Sequence, residues 1–386
     1  MLTRLFFLFL FVCINISQLW ATRAVMFVSN DPSPKDKWHY TVLTEPLEYS
    51  KVEIVFPEQP FHLLLFIADY ATNSQSEALL MYDIEVVDPF GKTIFDRKEL
   101  TALDGRVKAG NPIILSEHIV QIALQKDLPF GTYEIKLRLT DWEDNTYQNL
   151  KTYVQMTPYD YQPYFQSDSQ LLSWQNQYYR NPRPELALDG FLYMTRSELA
   201  KDESSFWPMF HFYKEIFTYN PFLQDELVNV YPELEEGIRR RVLQLLHFSG
   251  YQNAIFYQNL PDNDMIQYLN LRKSELVVPA TVALTPTDLD IYWFRFLATG
   301  NFKSIQRIVA TLDLAPGEDA VYRSQRHREE EDLQKALYEG VTELAWVTLL
   351  TQSDDHRLIK DYCRFMYRYT RQTESQREKL EELLGY

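Results

Sequence analysis

Two periods of hydrophobic and polar positions divide the chain. Between about residue 24 and residue 156 apolar side chains recur at every second position, most clearly over residues 132–141. There Tyr133, Ile135 and Leu137 alternate with polar neighbours, which is typical of an antiparallel strand with one buried face. About seven or eight short strands of this kind, with no helical stretch between them, predict an all-β sandwich.

From about residue 186 onward apolar positions recur at intervals of three and four, which indicates helices. Residues 285–288 (TPTD) carry the start signals of a helix, and Gly300 with Asn301 marks its end. Short turns between successive helices favour antiparallel helical hairpins, and therefore an all-α, solenoid-like array. No fixed repeat length supports a regular repeat family.

The predicted fold class is α+β, with strands and helices in separate domains. We expect a signal peptide at residues 1–21, a β-sandwich domain at 22–156, an aromatic and polar linker at 157–185, and an α-helical domain at 186–386. The linker is placed where Pro, Gln, Asp and Tyr replace both periods.

The N-terminus has the parts of a secretory signal peptide. Arg4 supplies positive charge, residues 5–14 are apolar, and Ala21 is a small residue at a cleavage position. Because the apolar stretch is short for a membrane span, we expect cleavage after Ala21, with Ala24 as second choice. An uncleaved anchor is the alternative. Cleavage predicts an exported protein, periplasmic or secreted, with no membrane span in the mature chain.

The amino-acid composition excludes further classes of protein and partner. The chain is 46% hydrophobic, which supports folded cores and excludes wholesale disorder. With 38 Lys and Arg against 54 Asp and Glu, the net charge is -16, which argues against nucleic acid as a partner. Removal of Cys13 with the leader leaves Cys363 alone, so the mature chain forms no internal disulfide. Its spacing predicts a buried, inert thiol.

Sequence motifs for known chemistry are absent. The seven histidines are scattered without the HExxH spacing, and a single mature cysteine excludes a cysteine-based zinc site. Acidic residues at 141–144 and 262–264 lack the glycine and distal glutamate of a calcium loop, so we interpret both as solvated turns. We assign no catalytic, cofactor-binding or metal-ligating residue, and we expect no cofactor.

The linker offers one candidate ligand or interdomain surface. Its members are six aromatic residues among Gln, Asn and Asp: Tyr159, Tyr161, Tyr164, Trp174, Tyr178 and Tyr179. Flat rings beside amide and carboxylate groups suit sugar or peptide binding. The alternative is that these rings pack the two domains together.

Four segments carry two resemblances. The segments DPFGKTIF (88–95) and LPFGTYEIKLRL (128–139) resemble extracellular immunoglobulin-like domains in architecture. The segments FYKEIFTYNP (212–221) and DLDIYWFRFLATGN (288–301) resemble a helical region of uncharacterised bacterial exported proteins. The second resemblance extends over about half of the chain. It implies a bacterial origin and a helical domain, and it implies no activity.

With no catalytic arrangement in competition, the sequence favours an exported, non-enzymatic binding or adaptor protein of the bacterial cell envelope. We expect a protein partner, with envelope carbohydrate as the other candidate. The alternative is an envelope-directed hydrolase that acts on sugar or peptide with paired carboxylates. Such acids are distant in sequence and lie about 5–10 Å apart in a fold, so a sequence does not reveal them.

Overall fold

The computed structural model describes residues 22–41, 47–107, 113–276, 282–314 and 325–386. They form two compact units. The strand unit holds the described residues up to Ser29, then Lys51–Val55 and Phe61–Thr157. The helical unit holds Asn30–Ser50, Phe56–Pro60 and Pro158–Tyr386. The predicted combination of an N-terminal strand region with a C-terminal helical region is confirmed at this level.

Nine strands are described, and they form two sheets. They are β1 (Arg23–Ser29), β2 (Ile54–Val55), β3 (Pro60–Ala68), β4 (Glu77–Val87), β5 (Thr93–Arg106), β6 (Ile114–Leu115), β7 (Val120–Ala123), β8 (Gly131–Asp141) and β9 (Thr146–Met156). One sheet has the order β1-β3-β6, with β7 also paired to β3. The other has the order β2-β9-β8-β4-β5, antiparallel except for the parallel pair of β2 and β9.

Both sheets contribute to one core. Strand β8 buries Tyr133, Ile135, Leu137 and Leu139 and turns the residues between them outward, which is the alternation that the sequence predicts. Strands of the other sheet add buried side chains to the same cluster, among them Leu65 of β3. Removing this apolar surface from water stabilises the unit by about 25 cal/mol for each Å².

Thirteen α-helices are described, all within the helical unit. They are α1 (Pro34–His39), α2 (Asp168–Gln177), α3 (Ala187–Arg196), α4 (Glu203–Tyr219), α5 (Phe222–Val230), α6 (Glu236–Phe248), α7 (Ala254–Gln258), α8 (Asp262–Leu271), α9 (Pro286–Thr299), α10 (Phe302–Thr311), α11 (Gln325–Asp355), α12 (Arg357–Tyr369) and α13 (Glu374–Leu384). In the described part of the chain, no helix is both long and apolar enough to cross a membrane.

Local side-chain chemistry sets the ends of α9. The Thr285 hydroxyl accepts the Asp288 backbone N–H, and the Asp288 carboxylate accepts the Thr285 N–H, so two backbone donors at the helix start are satisfied. Gly300 ends the helix at φ 63°, a left-handed conformation that glycine adopts without steric cost. Helix α10 begins two residues later, as the stop signal predicts.

The segment Asn30–Ser50 belongs to the helical unit although it lies between two strands in sequence. Its short helix α1 carries Lys37, whose ammonium forms a buried ion pair with Asp31 and also donates to the Tyr179 carbonyl at 3.1 Å. Tyr40 stacks on Phe302 with ring centroids 3.9 Å apart. Nothing in the hydrophobic pattern signals this attachment, because α1 is short and mostly polar.

Candidate functional site

A cavity of about 640 Å³ lies in the helical unit, lined by helices α4, α6, α8 and α9 and the chain that follows α8. Its apolar wall consists of Trp207, Phe248, Leu271, Leu276 and Ile291. Its polar wall consists of His211, Arg240, Gln244, Gln267, Asn270, Ser274, Glu275, Thr285, Thr287 and Asp288. The volume and the mixed lining match those of small-molecule and peptide-side-chain sites.

Helical spacing brings these side chains to the cavity. Trp207 and His211 lie four residues apart on α4, and so do Gln244 and Phe248 on α6. Residues four apart project from the same face of a helix, so each helix presents a pair to the same space. These residues occupy positions beside the main apolar stripe of each helix, and the sequence analysis did not single them out as a site.

The cavity has a buried floor and a charged rim. His211 is 1% exposed, Ile291 5% and Gln244 8%, so these three form the floor. Arg240 and Glu275 are exposed. A ligand would therefore place uncharged groups inward and charged groups at the mouth.

Two amide side chains of the cavity have open hydrogen-bonding capacity. The Gln267 Oε1 atom is buried and has no hydrogen-bond partner among the described residues. An unsatisfied buried acceptor costs about 1–3 kcal/mol. Gln244 Oε1 accepts from Arg241 Nη1 at 3.3 Å, and its amide nitrogen donates to no residue that the structure describes. These two amides thus offer an acceptor and a donor to a bound molecule.

Three consecutive arginines on α6 differ in their surroundings. Arg239 donates to the buried Asp264 carboxylate at 2.8 Å, and Arg241 lies over the Phe206 ring at 3.9 Å from its centroid. Arg240 lies at the cavity mouth and forms no ion pair with any described residue. Packing within the protein therefore accounts for the first and third cations, and Arg240 is available to an anion.

The two carboxylates of the cavity are not equivalent. Asp288 Oδ2 accepts the backbone N–H groups of Leu284 at 3.1 Å and Thr285 at 3.0 Å, so this acid already caps α9. Glu275 is exposed and has no described ion-pair or hydrogen-bond partner. Across the residues that the structure describes, no three His, Cys, Asp or Glu side chains are grouped so that they could hold a metal ion.

The interpretation of the two acidic runs as solvated turns is wrong for two of their residues. Asp141 is 1% exposed and accepts the Thr22 hydroxyl and the Ala71 backbone N–H. Asp264 is fully buried and accepts from the Tyr231 hydroxyl and from Arg239, each at 2.8 Å. Both carboxylates stabilise the fold, because each lies where the surrounding donors face inward.

Asp189 of α3 anchors the first part of the linker. The Tyr161 hydroxyl donates to its Oδ1 at 3.1 Å, and the backbone N–H groups of Tyr164 and Phe165 donate to its Oδ2 at 2.7 and 2.8 Å. Burial, together with the Asp189 charge, raises the pKa of Tyr161 to about 12. The Tyr159 hydroxyl donates to the Glu185 carbonyl at 3.1 Å.

The remaining linker aromatics pack into the helical core. Trp174 is half-buried against Phe165, Tyr178 and Phe212, with ring centroids 5.3–5.4 Å apart. Tyr178 and Tyr179 are each 2% exposed, whereas Tyr164 is 42% exposed. None of the six candidate aromatic residues lines the cavity described above. Five of them are core or half-buried packing residues of the helical unit, and Tyr164 is exposed.

Tyr179 also belongs to a buried polar chain. Its hydroxyl lies 3.1 Å from His356 Nδ1, and His356 Nε2 lies 3.1 Å from Asn176 Oδ1. Burial, with a smaller contribution from the Arg180 cation, lowers the pKa of His356 to about 4, so its imidazole is neutral at pH 7. This chain joins Asn176 of α2 to His356, the residue that precedes α12, and its tyrosine and histidine are buried.

Cys363 is fully buried, as its spacing predicts. Burial raises the pKa of its thiol to about 12, which leaves almost no thiolate at neutral pH. A nucleophilic cysteine needs an accessible thiolate, so Cys363 acts as a small apolar core residue.

Comparisons with known proteins do not assign the chain to a family. No family model and no curated protein matches the chain. Among solved structures, a family 123 glycoside hydrolase from Clostridium perfringens is 11% identical, with a TM-score of 0.21 over 36% of this chain and 28% of that one. A structural-genomics target is 15% identical, with a TM-score of 0.16 over 36% and 87%. A variant of Salmonella alpha-2-macroglobulin is 11% identical, with a TM-score of 0.21 over 94% and 26%. Such low TM-scores do not establish a shared fold.

Proposed function

We propose that this chain is an exported, non-enzymatic binding protein of the bacterial cell envelope, and that it takes part of its partner into the cavity of the helical unit. The observation that carries the proposal is the cavity itself. It combines an apolar wall, an unpartnered buried acceptor at Gln267 and a cation at Arg240. These features suit recognition of a ligand with apolar and polar parts.

The proposal of export is supported by residues 1–21, whose sequence has the parts of a secretory signal peptide. Residues just after Ala21 support a cut at that position. The Thr22 hydroxyl donates to Asp141, and the Ala24 backbone N–H donates to Gln148 Oε1 at 2.9 Å. A cut after Ala24 would remove both interactions and the start of β1, whereas a cut after Ala21 keeps them.

The finer architecture that we propose is an immunoglobulin-like sandwich joined to an array of helical hairpins. Two sheets that share one core support the first part. The hairpins are supported by successive helices that pack on each other across short connections, as α9 does with α10 and α12 with α13.

The hydrolase alternative is less well supported by this site. An inverting or retaining glycosidase needs two carboxyl groups that are both free to act on the substrate. Glu275 is free among the described residues, but Asp288 already accepts two backbone N–H groups. A binding role uses the same residues without that conflict.

The cavity can be tested with anilinonaphthalene sulfonate (ANS), a probe with an apolar ring system and an anionic group. We expect the full chain to bind ANS with increased fluorescence. The Thr287→Trp substitution places a large ring at the cavity wall and should weaken binding about tenfold, which corresponds to about 1.4 kcal/mol. Thr351→Trp changes an exposed threonine of α11 and is the matched control. Equal ANS affinity of the two variants, with unchanged melting curves, would contradict the proposal.

A further inference from the structure

We infer that the cavity recognises the carboxyl terminus of a peptide that ends in an apolar residue. This inference rests on the proposed function and specifies its ligand. Arg240 would bind the terminal carboxylate, the glutamine amides would bind the peptide backbone, and the apolar wall would hold the last side chain.

The cation at the mouth is the first argument. The chain carries a net charge of -16, so a cation without a counter-ion among the described residues is notable. Its neighbours Arg239 and Arg241 are held by Asp264 and Phe206, whereas Arg240 faces the cavity mouth. A guanidinium binds a carboxylate through two parallel N–H donors, which fixes both position and orientation.

The amides distinguish a peptide from other anionic ligands. Gln267 Oε1 is a buried acceptor that needs an N–H or O–H donor, and the Gln244 amide nitrogen is a donor that needs an acceptor. A peptide backbone carries both groups at each residue. A fatty acid has a carboxylate and an apolar chain, but it offers no donor to Gln267.

The apolar wall distinguishes a peptide from a sugar. Phe248 and Ile291 both line the cavity, and Ile291, on its floor, is 5% exposed. An aromatic or aliphatic side chain would remove both residues from water. A sugar can stack on a flat ring such as Phe248, but its hydroxyls would lose hydrogen bonds to water against the aliphatic Ile291. The exposed Glu275 at the rim is expected to lie away from the terminal carboxylate, since like charges repel.

The test measures the affinity of the full chain for acetyl-Ala-Ala-Phe with a free carboxyl terminus and for the same peptide with an amidated terminus. We expect amidation to weaken binding about tenfold, the effect of losing a charge-assisted hydrogen bond. Arg240→Gln should remove the difference between the two peptides. Arg371→Gln, at another exposed arginine with no described partner, should preserve it.

Several results would overturn the inference. Equal binding of the two peptides by the unmodified chain would exclude recognition of the carboxylate. Decanoate or a chitin oligosaccharide that binds more tightly than the peptide would assign the cavity to a lipid or a sugar. A third result would separate the two proposals. If Thr287→Trp weakened ANS binding but the free-acid peptide did not bind the unmodified chain, the peptide would be rejected as the ligand and the proposed function would stand. If the unmodified chain bound neither ANS nor the free-acid peptide, both the proposed function and the peptide inference would be rejected.

Discussion

Buried charges in the helical unit are each matched by specific donors or counter-ions. Asp189 accepts three hydrogen bonds from the linker, Asp264 is paired with Arg239, and Asp31 is paired with Lys37. A buried charge without a partner would destabilise the fold by several kcal/mol. The contacts of Asp189 and Asp264 therefore fix how separate segments come together, and the Asp31–Lys37 pair stabilises the segment that contains both residues. Among the described residues, Gln267 Oε1 is a buried acceptor without a partner, as are Gln175 Oε1 and Asp264 Oδ1, and of these three it is the one that lines the cavity.

Trp174 gives a prediction at the residue scale. Trp174→Ala should lower the free energy of unfolding by about 3 kcal/mol, because it removes a half-buried ring from an aromatic cluster of the helical core. Trp174→Phe should cost less than about 1.5 kcal/mol, since a ring is kept and a buried indole N–H without a partner is removed. Urea unfolding followed by far-ultraviolet circular dichroism measures both.

The exposed Trp142, on the turn after β8, is the matched control. Trp142→Ala should change the stability by no more than about 0.5 kcal/mol. A loss in Trp174→Ala as small as that of the control would show that the Trp174 ring lies open to solvent, as a ligand-binding surface on the linker would require.

At the scale of elements, the sequence predicts what is encoded locally. The start and end of α9 follow from Thr285, Asp288 and Gly300, which act within a few residues, and the alternation of β8 gives its buried face directly. The cavity could not be predicted in this way. Its residues come from four helices spread over residues 207–291, and their convergence depends on packing that no local pattern encodes.

The segment Asn30–Ser50 also escapes local prediction, because a few individual contacts rather than an apolar stripe hold it in the helical unit. Lys37, which is paired with Asp31 of the same segment, donates to the Tyr179 carbonyl, and Tyr40 stacks on Phe302. Lys37→Met should destabilise the helical unit by about 3–5 kcal/mol, since it leaves the Asp31 carboxylate buried without its cation. Adding Asp31→Asn should restore much of the loss, because the amide oxygen can still accept the Ser50 backbone N–H. Chemical denaturation of the single and double variants measures the coupling.

The matched control for that cycle is Lys35→Met, at an exposed lysine of the same short helix. We expect it to leave the stability within about 0.5 kcal/mol of the unmodified chain. If Lys35→Met and Lys37→Met had the same effect, or if the double variant were as unstable as Lys37→Met, the Asp31–Lys37 ion pair would not be what stabilises the segment.

At the scale of the whole molecule, the two units differ in what they contribute. The strand unit contributes a core shared by two sheets, and the helical unit contributes a cavity with open polar groups. Because the chain is acidic overall, Arg240 at the cavity mouth is a local cation and not part of a basic surface.

Hydrogen–deuterium exchange of the full chain with and without ANS tests the central claim most directly, because it locates binding on every segment at once. Binding in the cavity predicts slower exchange in α4, α6, α8 and α9, with no change in β1–β9 or in the linker around Tyr159–Tyr164. Slower exchange centred on the strands or on the linker aromatics, at an ANS concentration that saturates the fluorescence, would contradict the account.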